Sequence, residues 1–155
     1  MSDAFESRYG SPNESPGFQL WRVSNLWQRQ IRKALLPFEL THVQYAILTV
    51  TALLSDGDEP MTQAEIARLA GTDEMMTSQV VRALEKRGLM SRERHRQDFR
   101  AFQILVTDAG RELAEQAFTC VESTDEAFFT KIGDESSYLT YLLSRLSDAE
   151  PVNPE

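Results

Sequence analysis

The sequence predicts a mostly α-helical fold with one small β-hairpin, and three observations carry that reading. Apolar residues recur at helical spacing over most of the chain. Ser, Thr or Asp stands at the head of successive periodic segments, and at Thr41-x-x-Gln44 and Thr62-x-x-Glu65 the pattern is a capping box. Only in one place do two short runs, "LMSRER" and "AFQILV", flank a polar loop, "HRQDFR", as a hairpin would.

The elements follow in order. Residues 1–15 ("MSDAFESRYGSPNES") are rich in Ser, Gly, Pro and charge and read as a mobile tail. Ser15-Pro16 suits an N-cap and first helical position. The helix it opens carries Leu20, Val23, Trp27, Ile31 and Ala34 on one face, with Phe18, Trp21 and Leu26 elsewhere, and Pro37 ends it. That is more apolar surface than one packing partner requires. Thr41 caps a second helix that carries Val43, Ala46, Ile47, Val50, Leu53 and Leu54 at helical spacing, followed by an acidic turn, "SDGDEP". Thr62 opens a short helix around Ile66, Leu69 and Ala70, which Gly71 stops. "DEMMTSQVVRALEKRG" is a further helix with Met76, Val80 and Leu84 inward, Lys86 and Arg87 at its C-terminal dipole, and Gly88 closing it. After the hairpin, Thr107-Asp108 caps a long helix with the stripe Leu113, Ala117, Phe118, Val121, Phe128 and Ile132. Gly133-Asp134 breaks it, and Leu139, Leu142, Leu143 and Leu146 mark a last helix before the polar tail "DAEPVNPE".

Composition excludes several classes. At 155 residues the chain is one domain, or one compact domain with an extension, long enough to bury roughly 68–70% of its unfolded surface. Cys120 is the lone cysteine, so no internal disulfide is available, and with two histidines it makes no Cys/His zinc site. A reducing, cytoplasmic setting fits. No apolar run reaches the ~18 residues of a membrane span, and the N-terminus has no signal-peptide pattern. Paired carboxylates, a Ser/His/Asp set and a Gly-rich phosphate loop are all missing, so the expectation is a non-enzyme without a cofactor.

Charge points to function. The formal net charge is −8, yet "RERHRQDFRAF" places four arginines and a histidine in eleven positions. Residues 82–100 hold seven cations (Arg82, Lys86, Arg87, Arg92, Arg94, Arg96, Arg100) against three anions, while the rest holds nine against 21. A cationic patch on an acidic body holds a polyanion at one face and repels it elsewhere. The plainer alternative is a solvated charged hairpin.

Short helix, tight turn, helix and hairpin over 62–106 form a helix-turn-helix with a wing. In that arrangement the second helix lies in the DNA major groove and the first crosses the backbone. The face away from the core presents Met75, Ser78, Gln79 and Arg82. Gln suits an adenine edge, Arg a guanine edge, Ser either, and Met a thymine methyl. The wing would carry His95, Arg96 and Arg100 to the minor groove or its phosphates. Asp98, unhelpful toward DNA, makes sense as an internal brace that orients an arginine.

These residues resemble the MarR family of bacterial transcription regulators. The resemblance lies in "TQAEIA", "LEKRGL", the Asp98-x-Arg100 of the wing, "VTDAGREL" and, upstream, "LTHVQYAIL", and it spans about residues 18–147. Phe99 departs from it, an arginine being common there. The resemblance implies a winged helix-turn-helix at about 41–106 between dimerisation helices at about 16–36 and 107–147, within a single domain at 16–148 and a tail at 149–155. It implies a homodimer on double-stranded DNA, reading a pseudo-palindromic operator as a repressor. The apolar excess in 18–38 and 113–146 independently asks for such a partner. On this reading Thr77, Ser78, Gln79 and Arg82 face bases with Met75 at the entry, Thr62 and Arg68 meet phosphates, and Arg94, His95, Arg96 and Arg100 serve the wing. The family often binds small aromatic or phenolic acids, and Trp27, His42 and Tyr45 would line the cleft for such an effector. Cys120 reads as a buried, inert thiol. The rival reading is a winged-helix protein-interaction module that does not read DNA.

Overall fold

The computed structural model describes residues 6–55 and 60–147. Among the described residues, six α-helices and a three-stranded sheet build the fold. Helix α1 is Pro16–Leu35, α2 His42–Leu54, α3 Gln63–Ala70, α4 Glu74–Lys86, α5 Asp108–Phe129 and α6 Ser136–Leu146. Strands β1 (Met61–Thr62), β2 (Met90–Arg94) and β3 (Phe102–Val106) form an antiparallel sheet in the order β1-β3-β2. The hairpin register pairs Met90 with Val106 and Arg94 with Phe102. Strand β1, pairing Met61 with Ile104, has no counterpart in the sequence reading. Two residues are too short to show any alternation.

Local chemistry sets the helix starts. Ser15 caps α1 by accepting from the Phe18 N–H, and Thr41 and Thr62 both close complete capping boxes. Thr107 caps α5. Gly71, in the left-handed region at φ +65°, ends α3, and Gly133 at φ +52° lies in the 3-10 turn Thr130–Glu135 that separates α5 from α6. The expected tail differs. Residues 12–14 form a 3-10 turn, and Asn13 accepts from Gln19 and Arg22 through its carbonyl and its side chain. The expected acidic turn lies largely, and the 149–155 tail wholly, outside the described residues.

The core gathers Ile31 and Leu35 of α1, Ile47 and Leu48 of α2, Ile66 of α3, Val80, Val81 and Leu84 of α4, Met90 and Ile104 of the sheet, and Ala114, Ala117 and Val121 of α5. Met76 is not in it. It is 43% exposed, and the buried position on that turn of α4 is Thr77. On α1 only Ile31 and Leu35 are buried, while Leu20 and Val23 of the expected stripe remain exposed. None of α6 is buried.

Candidate nucleic-acid interface

The surface is built around a turn of three residues, 71–73, that sets α4 across α3. The Thr72 N–H returns to the Ala67 carbonyl, and the Asp73 carboxylate accepts from the Met76 N–H at 2.7 Å to start α4. Thr77 Oγ1 donates to the Asp73 carbonyl and lies 2.8 Å from Thr72 Oγ1. Thr77 is therefore fully buried, which corrects its expected place among the base-facing residues. Its hydroxyl is satisfied within the turn, so a polar residue sits inside without penalty.

Met75 (74% exposed), Gln79 and Arg82 point away from the core one turn apart, with Ser78 half-buried beside them. On α3, Arg68 is exposed, and Thr62, the N-cap before it, is half-buried. The Thr62 hydroxyl is engaged in its cap: it accepts from the Glu65 N–H, and the Glu65 carboxylate accepts from the Thr62 N–H at 2.8 Å. Those donated bonds from Thr62, backbone then hydroxyl, hold the Glu65 carboxyl below the usual carboxylate range.

The wing is braced from within. Arg94 donates to the Phe99 carbonyl at 3.0 Å and lies over the Phe102 ring. His95 Nδ1 accepts from the N–H groups of Gln97 and Asp98, and the His95 N–H donates to the Ala101 carbonyl. Arg94 and His95 thus shape the tip, a different part from the reach toward DNA expected of them. The Asp98 brace exists in altered form, since Oδ1 accepts from the backbone N–H of Arg100 at 3.0 Å and not from a guanidinium. A two-residue reach closes the turn more directly than a long side chain would.

Seven cations of 82–100 divide into two sets. Arg87 donates to the Glu39 and Phe38 carbonyls, Arg92 lies 3.9 Å from Glu85 and over Phe102, and Arg94 braces the tip. Among the described residues, the exposed side chains of Arg82, Lys86, Arg96 and Arg100 make no hydrogen bond or ion pair. That second set lies along the recognition helix and the wing, the placement a polyanion would meet.

The expected effector residues come together only in part. Trp27 meets His42 edge-on with ring centroids 5.1 Å apart, and its Nε1 donates to Asp125 Oδ1 at 2.7 Å. Tyr45 is buried on the next turn of α2. Burial pushes His42 below its ordinary value, with Asp125 opposing and Arg32 reinforcing. Burial likewise pushes the Tyr45 hydroxyl up. Trp27 also lines an apolar groove of about 300 Å³ with Leu20, Val23, Phe128, Phe129 and Leu143. Asp125, which ties α5 to α1 here, was missed. It stands 98 positions from Trp27, and no local pattern announces the pairing. Cys120 is half-buried, with Sγ 3.6 Å from the Ala34 carbonyl.

A capped three-residue turn, an outward polar face on α4 and a cationic wing define a winged helix-turn-helix DNA-binding protein. Comparison with known proteins agrees. The MarR family model matches residues 40–102. An HTH-type transcriptional regulator of Bacillus subtilis, YdcH, is 39% identical over 89% of this chain and 94% of its own length. The crystal structure of CouR from Rhodococcus jostii bound to p-coumaroyl-CoA superposes with a TM-score of 0.80 at 25% identity, covering 94% of this chain and all of that one. The transcriptional repressor CouR bound to a 23-mer DNA duplex superposes at 0.75 with 28% identity, over 93% and 98% of the two chains. The chain belongs to the MarR family of transcriptional regulators. Such regulators are DNA-binding proteins and not enzymes. Among the described residues no helix is long and apolar enough to cross a membrane.

Proposed function

We propose that this regulator is a repressor that binds a pseudo-palindromic operator as a homodimer and is released by a small aromatic or phenolic ligand. The observation that carries the DNA half is the outward face of Met75, Ser78, Gln79 and Arg82 on α4 together with the exposed, uncommitted Arg96 and Arg100 of the wing. Ser78, Gln79 and Arg82 read base edges, Met75 contacts a thymine methyl, and Thr62 at the N-terminus of α3 and Arg68 in its last turn face phosphates. Arg94, His95 and Asp98 act on DNA only through the shape they give the wing. A two-fold dimer sets the recognition helices about one turn, ~10 bp, apart. CouR supports both halves by analogy, as a repressor bound to DNA and as a protein bound to p-coumaroyl-CoA.

The ligand half rests on the contact of Trp27, His42 and Asp125, which joins α1, α2 and α5 beside the apolar groove. A ligand seated there favours a dimer whose recognition helices are misspaced, and DNA is released because that state binds it less well. Selection from a random DNA pool tests the reading. The expected product is a palindrome bound with a steep salt dependence. Arg82→Ala should weaken that site roughly 10- to 100-fold and relax one position in each half. No enriched sequence, together with a protein partner that saturates the wing, would overturn it in favour of a protein-interaction module.

A further inference from the structure

Phe99 stands at the tip of the wing and is 69% exposed. Its backbone is fixed on every side. Arg94 donates to its carbonyl, Asp98 closes the turn onto the Arg100 N–H, and the Ala101 N–H returns to the Asp98 carbonyl at 3.0 Å. The ring therefore has no slack chain with which to fold back. The hairpin's other aromatic, Phe102, is covered by Arg92 and Arg94 at 4.7 and 5.6 Å. Among the described residues, no ring or guanidinium covers Phe99. Close by in sequence stand Arg96 and Arg100, both exposed and uncommitted.

A large apolar ring held outward between two free cations fits a surface that is anionic at its rim and apolar within. The DNA minor groove is such a surface, with phosphates along its edges and deoxyribose faces as walls. We propose that Phe99 is the minor-groove probe of the wing, packing on sugar faces at a deformable pyrimidine–purine step while Arg96 and Arg100 hold the flanking phosphates. This rests on the reading that the wing meets DNA. A guanidinium at the tip would gain from the negative potential of a narrow A-tract groove. A phenyl ring has no charge to gain there and needs width. TpA and CpA steps open at the least cost, and apolar wedges enter at such steps. The wing then reads deformability at base pairs that α4 does not touch.

The test uses the selected operator, with the step under the wing located by minor-groove footprinting and set to TpA or ApA. Wild type should prefer TpA. Phe99→Ala, at an exposed position that leaves folding intact, should lose roughly tenfold on the TpA operator and lose the preference. Phe99→Arg should recover affinity, turn the preference toward the A-tract and steepen the salt dependence. Equal binding of wild type and Phe99→Ala to both operators overturns the proposal, as does a wild-type preference for the A-tract. If Arg82→Ala still weakens the same operator, only the role of Phe99 has failed. If Arg82→Ala is silent as well, the DNA reading beneath it has failed too.

Discussion

The winged unit at 61–106 and the terminal helices α1 and α6 dispose of their apolar residues in opposite ways. In the winged unit Ile66, Val81, Leu84, Met90 and Ile104 are buried within one chain, and what faces out is mostly polar or cationic, with Met75, Met76, Phe99 and Phe102 as exceptions. On α1 and α6, Leu20, Trp21, Val23, Leu26, Tyr138, Leu142, Leu143 and Leu146 are all exposed. In the proposed homodimer, one chain completes the reading surface but not the scaffold that holds it. Exposed apolar surface of this kind favours an interface, and the proposed homodimer would seat its second copy on the groove between α1, α5 and α6. The largest effect should come from closing that option. Leu20→Glu with Leu143→Glu, both already exposed, should leave the single chain folded and yield monomers by sedimentation. Operator affinity should drop on the order of 1000-fold as the second half-site contact becomes bimolecular. A wild-type protein that sediments as a monomer would break the comparison outright.

The two regions are joined through α5, which packs on α1, and its first turn makes the close contact that the second prediction probes. The Thr107 N–H donates to the Leu89 carbonyl and its hydroxyl to the Gly88 carbonyl, so the first turn of α5 lies directly on the start of the hairpin. Gly110 is buried in that turn. A Cβ there would fall inside contact distance of the Leu89 carbonyl oxygen and 3.0 Å from Val106 Cγ1. Backbone cannot swing aside as a side chain does, so Gly110→Ala should cost about 3 kcal/mol in urea unfolding. The damage should lie at the wing and the start of α5, visible as faster amide exchange there. An unchanged unfolding midpoint would show that the two regions slide freely past each other.

How far each region was legible follows from where its determinants lie. Caps, the three-residue turn and the hairpin were readable because Thr41, Thr62, Asp73 and Thr107 each act on the residue three positions on. The inward face of α4 was misread at one position. Periodicity weighs apolarity and favours Met76, whereas Thr77 goes inside because Asp73 and Thr72 satisfy its hydroxyl. Charge counting found the cationic stretch but not its division, since Arg87, Arg92 and Arg94 are engaged by carbonyls, a carboxylate and a ring that only the fold brings near. The contact of Asp125 with Trp27 lay beyond any local pattern. Among the expected effector residues, sequence supplied Trp27 and His42 but not the carboxylate beside them.

That junction gives the smallest prediction, and it concerns pH. His42 is held below its ordinary value of 6.5, chiefly by burial, with Asp125 opposing and Arg32 adding to the depression. The unfolded chain therefore takes up the proton at a higher pH than the folded one does. The stability linked to a neutral His42 is complete above 6.5 and is lost as pH falls from 6.5 through the lower folded value. The carboxylate at Asp125 softens the loss, because a protonated His42 would find a counter-charge there. Wild type should thus unfold at lower urea at pH 5.5 than at pH 7.5, and His42→Gln should show a shallower dependence whatever its absolute stability. Equal pH slopes in the two proteins, or a His42 ring titrating at or above 6.5 by NMR, would show that this junction is as open to water as the wing.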